Sequence, residues 1–259
     1  MSNLSTREPF VDFGGRRVVV SGASSGIGRA ISVELSRRGA SLVLIGRNKE
    51  RLDETAGMLA TTDVDLLLLD LADSSPVFSM IKEVVTKRGR LYGLCHCAGQ
   101  VETVPLNAIQ PDALRRLYEV NVVAGLELAR VVSRRDVMTE GGGSMLFVSS
   151  IYASVGMAGQ IGYSATKGAL VSAARAMAVE LARRQIRVNT ISPGLVHTRL
   201  ADAALGQLSP ERTTALEDAH PLGLGTPEDV ARVAVFTMSP QTRWMTGTDL
   251  IIDGGYTAQ

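Results

Sequence analysis

Tyr163 and Lys167 stand four residues apart in "GYSATKG", residues 162–168. On a helix, that spacing puts both side chains on one face. A free phenol titrates near about 10, too high for ready proton exchange at neutral pH. An adjacent ammonium favours the phenolate and lowers that value. The pair can then trade a proton with a carbonyl oxygen or a hydroxyl. A chance surface pair would show the same spacing. Ser150 argues against chance, because it ends the apolar run "SMLFVSS" (144–150). If that run is a strand, Ser150 lies at its carboxyl edge, where open α/β sheets bind ligands.

A second constellation is glycine-rich. "SGASSGIG", residues 21–28, places Gly22, Gly26 and Gly28 in a G-x-x-x-G-x-G spacing. It follows the β-branched run "RRVVV" and precedes a helical pattern. At such a junction glycines let the backbone approach a pyrophosphate at a helix N-terminus. A plain tight turn would also use them, but the first strand-to-helix junction is where a dinucleotide site belongs.

The next apolar run ends in "LVLIGRNKE". NAD-binding folds of this type carry a carboxylate about 20 residues beyond the glycines to hold the ribose 2′-hydroxyl. Here Gly46 occupies that place, and Arg47 follows with Asn48 beside it. No acid repels a 2′-phosphate, and a guanidinium is available to pair with one. NADP(H) is therefore the expected cofactor, with NAD(H) as the alternative. Arg47 as a solvated surface charge is the competing reading.

These groups need a scaffold, and the chain alternates between two periods. Strand-like runs fall at 16–22, 41–46, 64–70, 91–99, 144–150, 186–192 and 249–255. Between them lie helical patterns at 27–40, 48–60, 75–89, 113–138 and 161–184. Short apolar strands alternating with helices predict an α/β fold: a Rossmann-type, doubly wound sheet of about seven parallel strands with helices on both faces. No repeat or linker interrupts the pattern, so residues 1–259 are expected to form one domain. The segment 195–225 is irregular and is expected to be a substrate loop.

Composition narrows the partners. The 259 residues carry 27 basic and 26 acidic side chains, which gives nucleic acid or an anionic membrane nothing to bind. No apolar stretch approaches a membrane span. The opening "MSNLSTREPFVDF" lacks the apolar core of a signal peptide, so a cytoplasmic protein is expected. The only cysteines, Cys95 and Cys97, flank His96. Their C-x-C spacing fits neither a structural zinc site nor a C-x-x-C redox motif. No metal is expected; both thiols should lie on one face of a strand.

Taken together and in order, these motifs resemble the short-chain dehydrogenase/reductase family. The resemblance runs from about Gly14 to Thr257, and is nearest to the 3-oxoacyl-carrier-protein reductases and related ketone and alcohol oxidoreductases. It rests on the glycine motif, "LDL" with Asp70, "NVVAG" with Asn121, Ser150, Tyr163, Lys167, "RVNTISPG", "TPEDVA" and "TGTDLIIDGG". It implies interconversion of a carbonyl and a secondary alcohol by hydride transfer. Tyr163 would be the acid in reduction and the base in oxidation. Lys167 would lower its pKa and hold the nicotinamide ribose, Ser150 would position the substrate oxygen, and Asn121 would help hold a water linking Lys167 to solvent. Ser24, Ser25 and Ile27, with the three glycines, would contact the cofactor. Asp70 and Leu71 would flank the adenine, while Cys97, Ala98 and Gly99 would lie beneath its ribose. Pro193, Gly194, Val196 and Thr198 would line the nicotinamide end. A non-catalytic nucleotide sensor or scaffold on the same fold is the alternative, although the whole catalytic set is present.

The resemblance has two departures. "HCAG" (96–99) stands where the family usually has "NNAG", so His96 would supply part of the missing asparagine bonding. "PLGLGTPEDVA" lacks the arginine that commonly follows "PLG", which removes a basic contact for an acyl carrier protein. Tyr152 and its neighbours Ile151, Ala153, Met157, Ala158 and Gln160 suggest a mostly apolar pocket for a small carbonyl or alcohol. Alanines around much of helix 161–184 point to a homo-oligomer, a dimer or tetramer; high helix propensity would also place them there.

Overall fold

The computed structural model describes residues 11–206 and 209–259. The apolar runs form seven strands: β1 (Arg17–Ser21), β2 (Ser41–Gly46), β3 (Val64–Leu68), β4 (Gly93–His96), β5 (Gly143–Val148), β6 (Ile186–Pro193) and β7 (Asp249–Ile252). All pair in parallel, in the order 3-2-1-4-5-6-7. Alternate side chains feed two cores. Val19, Val43, Leu94 and Phe147 pack under α3 (Val77–Arg88), α5 (Ala124–Val132) and α6 (Ile161–Leu181). Val18, Val20, Leu42 and Cys95 pack under α1 (Gly26–Arg37) and α9 (Pro227–Met238) on the other face. This is the expected Rossmann-like sheet with flanking helices. The strand order reverses between β1 and β4, which opens the crevice where such folds take ligands.

Two expectations change. The helix expected over 113–138 is α4 (Pro111–Tyr118), one π-helical turn at Glu119–Val123, and then α5, which ends at Val132. Beyond it the chain turns, and Leu91 bridges Met138, because that segment must return to the sheet. The irregular segment 195–225 contains α7 (Arg199–Leu205) and α8 (Pro210–Asp218); residues 207–208 lie outside the described residues, as do residues 1–10 of the opening stretch. Its short polar-rich helices have no strong apolar stripe to announce them. Lastly, α9 and α2 (Lys49–Gly57) complete the layers. α9 starts with a reciprocal cap between Thr226 and Asp229.

Candidate active site

The glycine turn explains itself sterically. Gly22 has φ +68°, and a Cβ there would lie 2.7 Å from Ala98 N. A Cβ on Gly28 would lie 2.3 Å from Gly22 O. The turn can therefore fold back against the end of β4 only as glycine. Ser25 begins α1 without a side-chain cap, and no acid sits in the helix's first turn. The helix end thus presents unsatisfied N–H groups and a positive pole. They face a cleft of about 410 Å³ between β1 and β4.

Most of the expected cofactor residues line that cleft: Gly22, Ser24, Ser25, Gly26, Ile27, Gly28, Arg47, Asp70, Leu71, Cys97, Ala98, Gly99 and Thr198. Asn48 does not. Its Oδ1 accepts from Arg51 N at 2.8 Å and caps α2, the use to which asparagine is best suited at a helix start. Arg51 instead lines the cleft, as do Gln100, Val120 and Arg199. Arg51 is one helical turn beyond Arg47, a spacing that could have flagged it. Arg47 and Asp70 approach to 4.0 Å with both side chains more than half exposed, so the contact is weak and open to competition. Pro193, Gly194 and Val196 stand at and just beyond the end of β6, outside the cleft lining.

Ser150, Tyr163 and Lys167 come together at the carboxyl edge. Ser150 is buried after β5, and its Oγ accepts from Tyr152 N at 3.2 Å. Lys167 is buried; its Nζ donates to Val148 O at 2.8 Å and lies 5.5 Å from the centroid of the Tyr163 ring. Tyr152 meets Tyr163 edge-on, with ring centroids 6.4 Å apart. Gln160 is buried and donates Nε2 to Thr103 Oγ1 at 2.7 Å.

Desolvation dominates the electrostatics of this corner. Burial pushes the Tyr163 phenol up to about 12, against the downward pull of a Ser150 hydrogen bond. Burial also lowers Lys167 to about 8, opposed by the nearby Cys97. The Lys167 ammonium is turned to the Val148 carbonyl.

Asn121 falls in the π turn and is completely buried, so it is no solvated helix residue. Its Oδ1 accepts from Gln100 N at 2.7 Å, while Nδ2 donates to Gln100 O (2.9 Å) and Thr166 Oγ1 (3.0 Å). The side chain braces the loop after β4 against α6. Gly99 lies in the same corner, where a Cβ would be 3.4 Å from Lys167 Nζ and 3.5 Å from Asn121 Oδ1.

The end of β4 holds its shape as the "HCAG" departure requires. His96 Nδ1 and Ser21 Oγ are 2.8 Å apart, and Cys97 N donates to Ser21 O at 3.2 Å. Cys95 and Cys97 point to one side, Sγ to Sγ 3.5 Å. His197 and Asp202 pair at 3.7 Å on the surface.

A doubly wound sheet with a glycine-lined cleft and a serine, tyrosine and lysine beside it defines a class: α/β oxidoreductases of the nucleotide-binding type. Residues 22–257 match the family model described as enoyl-(acyl carrier protein) reductase. Relatives include a 3-oxoacyl-(acyl-carrier-protein) reductase of Chlamydia pneumoniae, 31% identical over 94% of this chain and 97% of that one. A cis-4-hydroxycyclohexanecarboxylate dehydrogenase of Sinomonas cyclohexanicum is 34% identical over 95% of this chain and 98% of that one. A solved short-chain dehydrogenase/reductase of Mycobacterium ulcerans superposes with TM-score 0.88 at 30% identity, covering 96% of this chain and 92% of that one. The chain belongs to the short-chain dehydrogenase/reductase family. It is an oxidoreductase of carbonyl and alcohol groups, in a family that works with NAD(P). Among the described residues no helix is long and apolar enough to cross a membrane.

Proposed function

We propose that this chain is an NADP(H)-preferring reductase of a small ketone, with Tyr163 as the proton donor. The observation that carries the reading is the meeting of half-buried Tyr163 with buried Ser150 and Lys167 beside the cleft. When bound, the nicotinamide supplies or accepts the hydride. The rest falls to the chain. Ser150 Oγ orients the substrate oxygen. Tyr163, with its phenol held near 12, keeps its proton at neutral pH and can give it to that oxygen as it becomes an alkoxide. Lys167 remains mostly protonated below about 8 and stabilises the phenolate left behind. Asn121 fixes the Gln100 backbone and Thr166 around this corner.

The uncapped, acid-free start of α1 suits a pyrophosphate. Arg47 and Arg51, on the same cleft with Gly46 in the acid's usual place, support the 2′-phosphate preference. Relatives that reduce D-erythrulose in Gallus gallus or oxidise a hydroxycyclohexane acid support a small carbonyl or alcohol substrate. Val179, 81% exposed, and the exposed Ile161, both on α6, support a homo-oligomer through that helix. The test is nicotinamide absorbance in a ketone panel with NADPH and NADH. No oxidation of either cofactor by any ketone, with no reverse activity on alcohols, would remove the reading.

A further inference from the structure

His220 sits in the turn after α8, 4% exposed, with three segments packed on its ring. Its Nε2 accepts from Leu195 N at 3.1 Å. That fixes the tautomer: the proton is on Nδ1, which donates to Leu216 O at 2.7 Å. Leu216 lies in the last turn of α8, where carbonyls have no partner within the helix. The ring also rests on Tyr256, centroids 4.8 Å apart. Gly194 is pinched between them: a Cβ there would lie 2.9 Å from Asp253 Cα and 3.0 Å from His220 Nε2.

One imidazole thus joins the exit of β6, the helix above it and the carboxyl-terminal segment. The exit strand runs on from this clamp to the cofactor cleft. Leu195 O accepts from Gly225 N (3.0 Å), and His197 N donates to Gly225 O (2.9 Å). Thr198 then reaches the glycine turn, its Cγ2 3.3 Å from where a Gly26 Cβ would be. We propose that His220 is a positioning residue: through Leu195 it sets the Gly194–Thr198 segment against the nicotinamide half of the cofactor and couples that segment to α8. The proposal rests on the NAD(P)-dependent reading above. It requires a neutral imidazole, since no other side chain of that shape offers one acceptor and one donor on opposite edges.

The test separates the two halves of the cofactor. His220→Phe keeps a ring against Tyr256 and deletes both hydrogen bonds. His220→Gln keeps an acceptor and a donor. Dissociation constants are measured by calorimetry, well below each variant's melting temperature, for NADPH and for 2′-phospho-ADP-ribose, which lacks the nicotinamide. The Phe variant should weaken NADPH about tenfold, the scale of one buried hydrogen bond. It should leave the fragment unchanged, and the Gln variant should recover most of the loss. Equal NADPH binding in the Phe variant, or equal weakening of NADPH and fragment, would overturn the proposal. Hydrogen exchange on the unaltered chain gives an independent reading should the Phe variant not fold. NADPH, and not the fragment, should slow exchange in 194–198 and 210–218 together; protection of 194–198 alone would also overturn it. A parent chain that binds neither NADPH nor NADH removes the cofactor reading, and the clamp's role with it.

Discussion

His96 and Gly125 fit together only because Gly125 has no side chain. A Cβ on Gly125 would lie 2.8 Å from His96 Cδ2 and 2.9 Å from Nε2. The imidazole fills a space inside α5 that a methyl would need. Two substitution effects therefore oppose each other. Alanine stabilises a helix interior by about 1 kcal/mol relative to glycine, while overpacking a rigid core costs about 1–3 kcal/mol. Gly125→Ala should destabilise the parent by up to about 2 kcal/mol and stabilise a His96→Ala background. Urea denaturation of the four chains checks this; the same sign in both backgrounds would contradict it.

The same imidazole makes stability depend on acid. Burial, aided by the Lys167 charge, lowers His96 from 6.5 to about 3. Between those values the unfolded chain binds the proton and the folded chain does not. The His96 contribution is complete above about 6.5 and is lost progressively as pH falls towards 3, at about 1.4 kcal/mol per pH unit. His96→Asn should flatten the stability curve in that window. An unchanged slope in the variant would show that His96 titrates normally.

Tyr163 and Lys167 make a kinetic prediction. Tyr163→Phe should lower turnover at least 10²–10⁴-fold, roughly the span of general acid catalysis, with cofactor binding retained. In the parent, kcat/KM for ketone reduction should be level below about 8 and fall above it as Lys167 loses its proton. Profiles of kcat/KM report the free enzyme. A profile that stays level to well above 8 would detach Lys167 from the chemistry.

Arg47 and Arg51 share the cleft, and the weak Asp70 contact leaves Arg47 available. Arg47→Ala and Arg51→Ala should each raise KM for NADPH about tenfold, in line with loss of a charge-assisted bond, and leave KM for NADH nearly unchanged. Equal changes for both cofactors would argue against a 2′-phosphate contact.

Features set by short-range rules could be read from the chain. The strands announce themselves as apolar runs, and the glycine turn as a spacing, because each follows from local geometry. Thirteen expected residues therefore line one cleft. Where several groups compete for one atom, sequence falls short. Nothing in the chain announces that Asn48 Oδ1 is engaged in capping α2. Nor does it announce that burial is the largest influence on both Tyr163 and Lys167. His220 gives no local signal, since its partners come from 4 to 36 residues away. The two thiols do share one side of the strand end, as their i, i+2 spacing requires, beside a histidine that bonds Ser21.

The π turn at Glu119–Val123 also has an evolutionary and engineering consequence. A π turn is an α-helix carrying one surplus residue. Deleting a single residue there would leave a continuous helix, so chain connectivity and folding would survive. The wider π turn absorbs the roughly 100° that the surplus residue would add, so the buried faces of α4 and α5 would stay aligned. Leu117 would keep its buried position, while the bulge that carries Asn121 to Gln100 would be lost. Chain length at this one turn thus controls the asparagine corner independently of how the two helices pack.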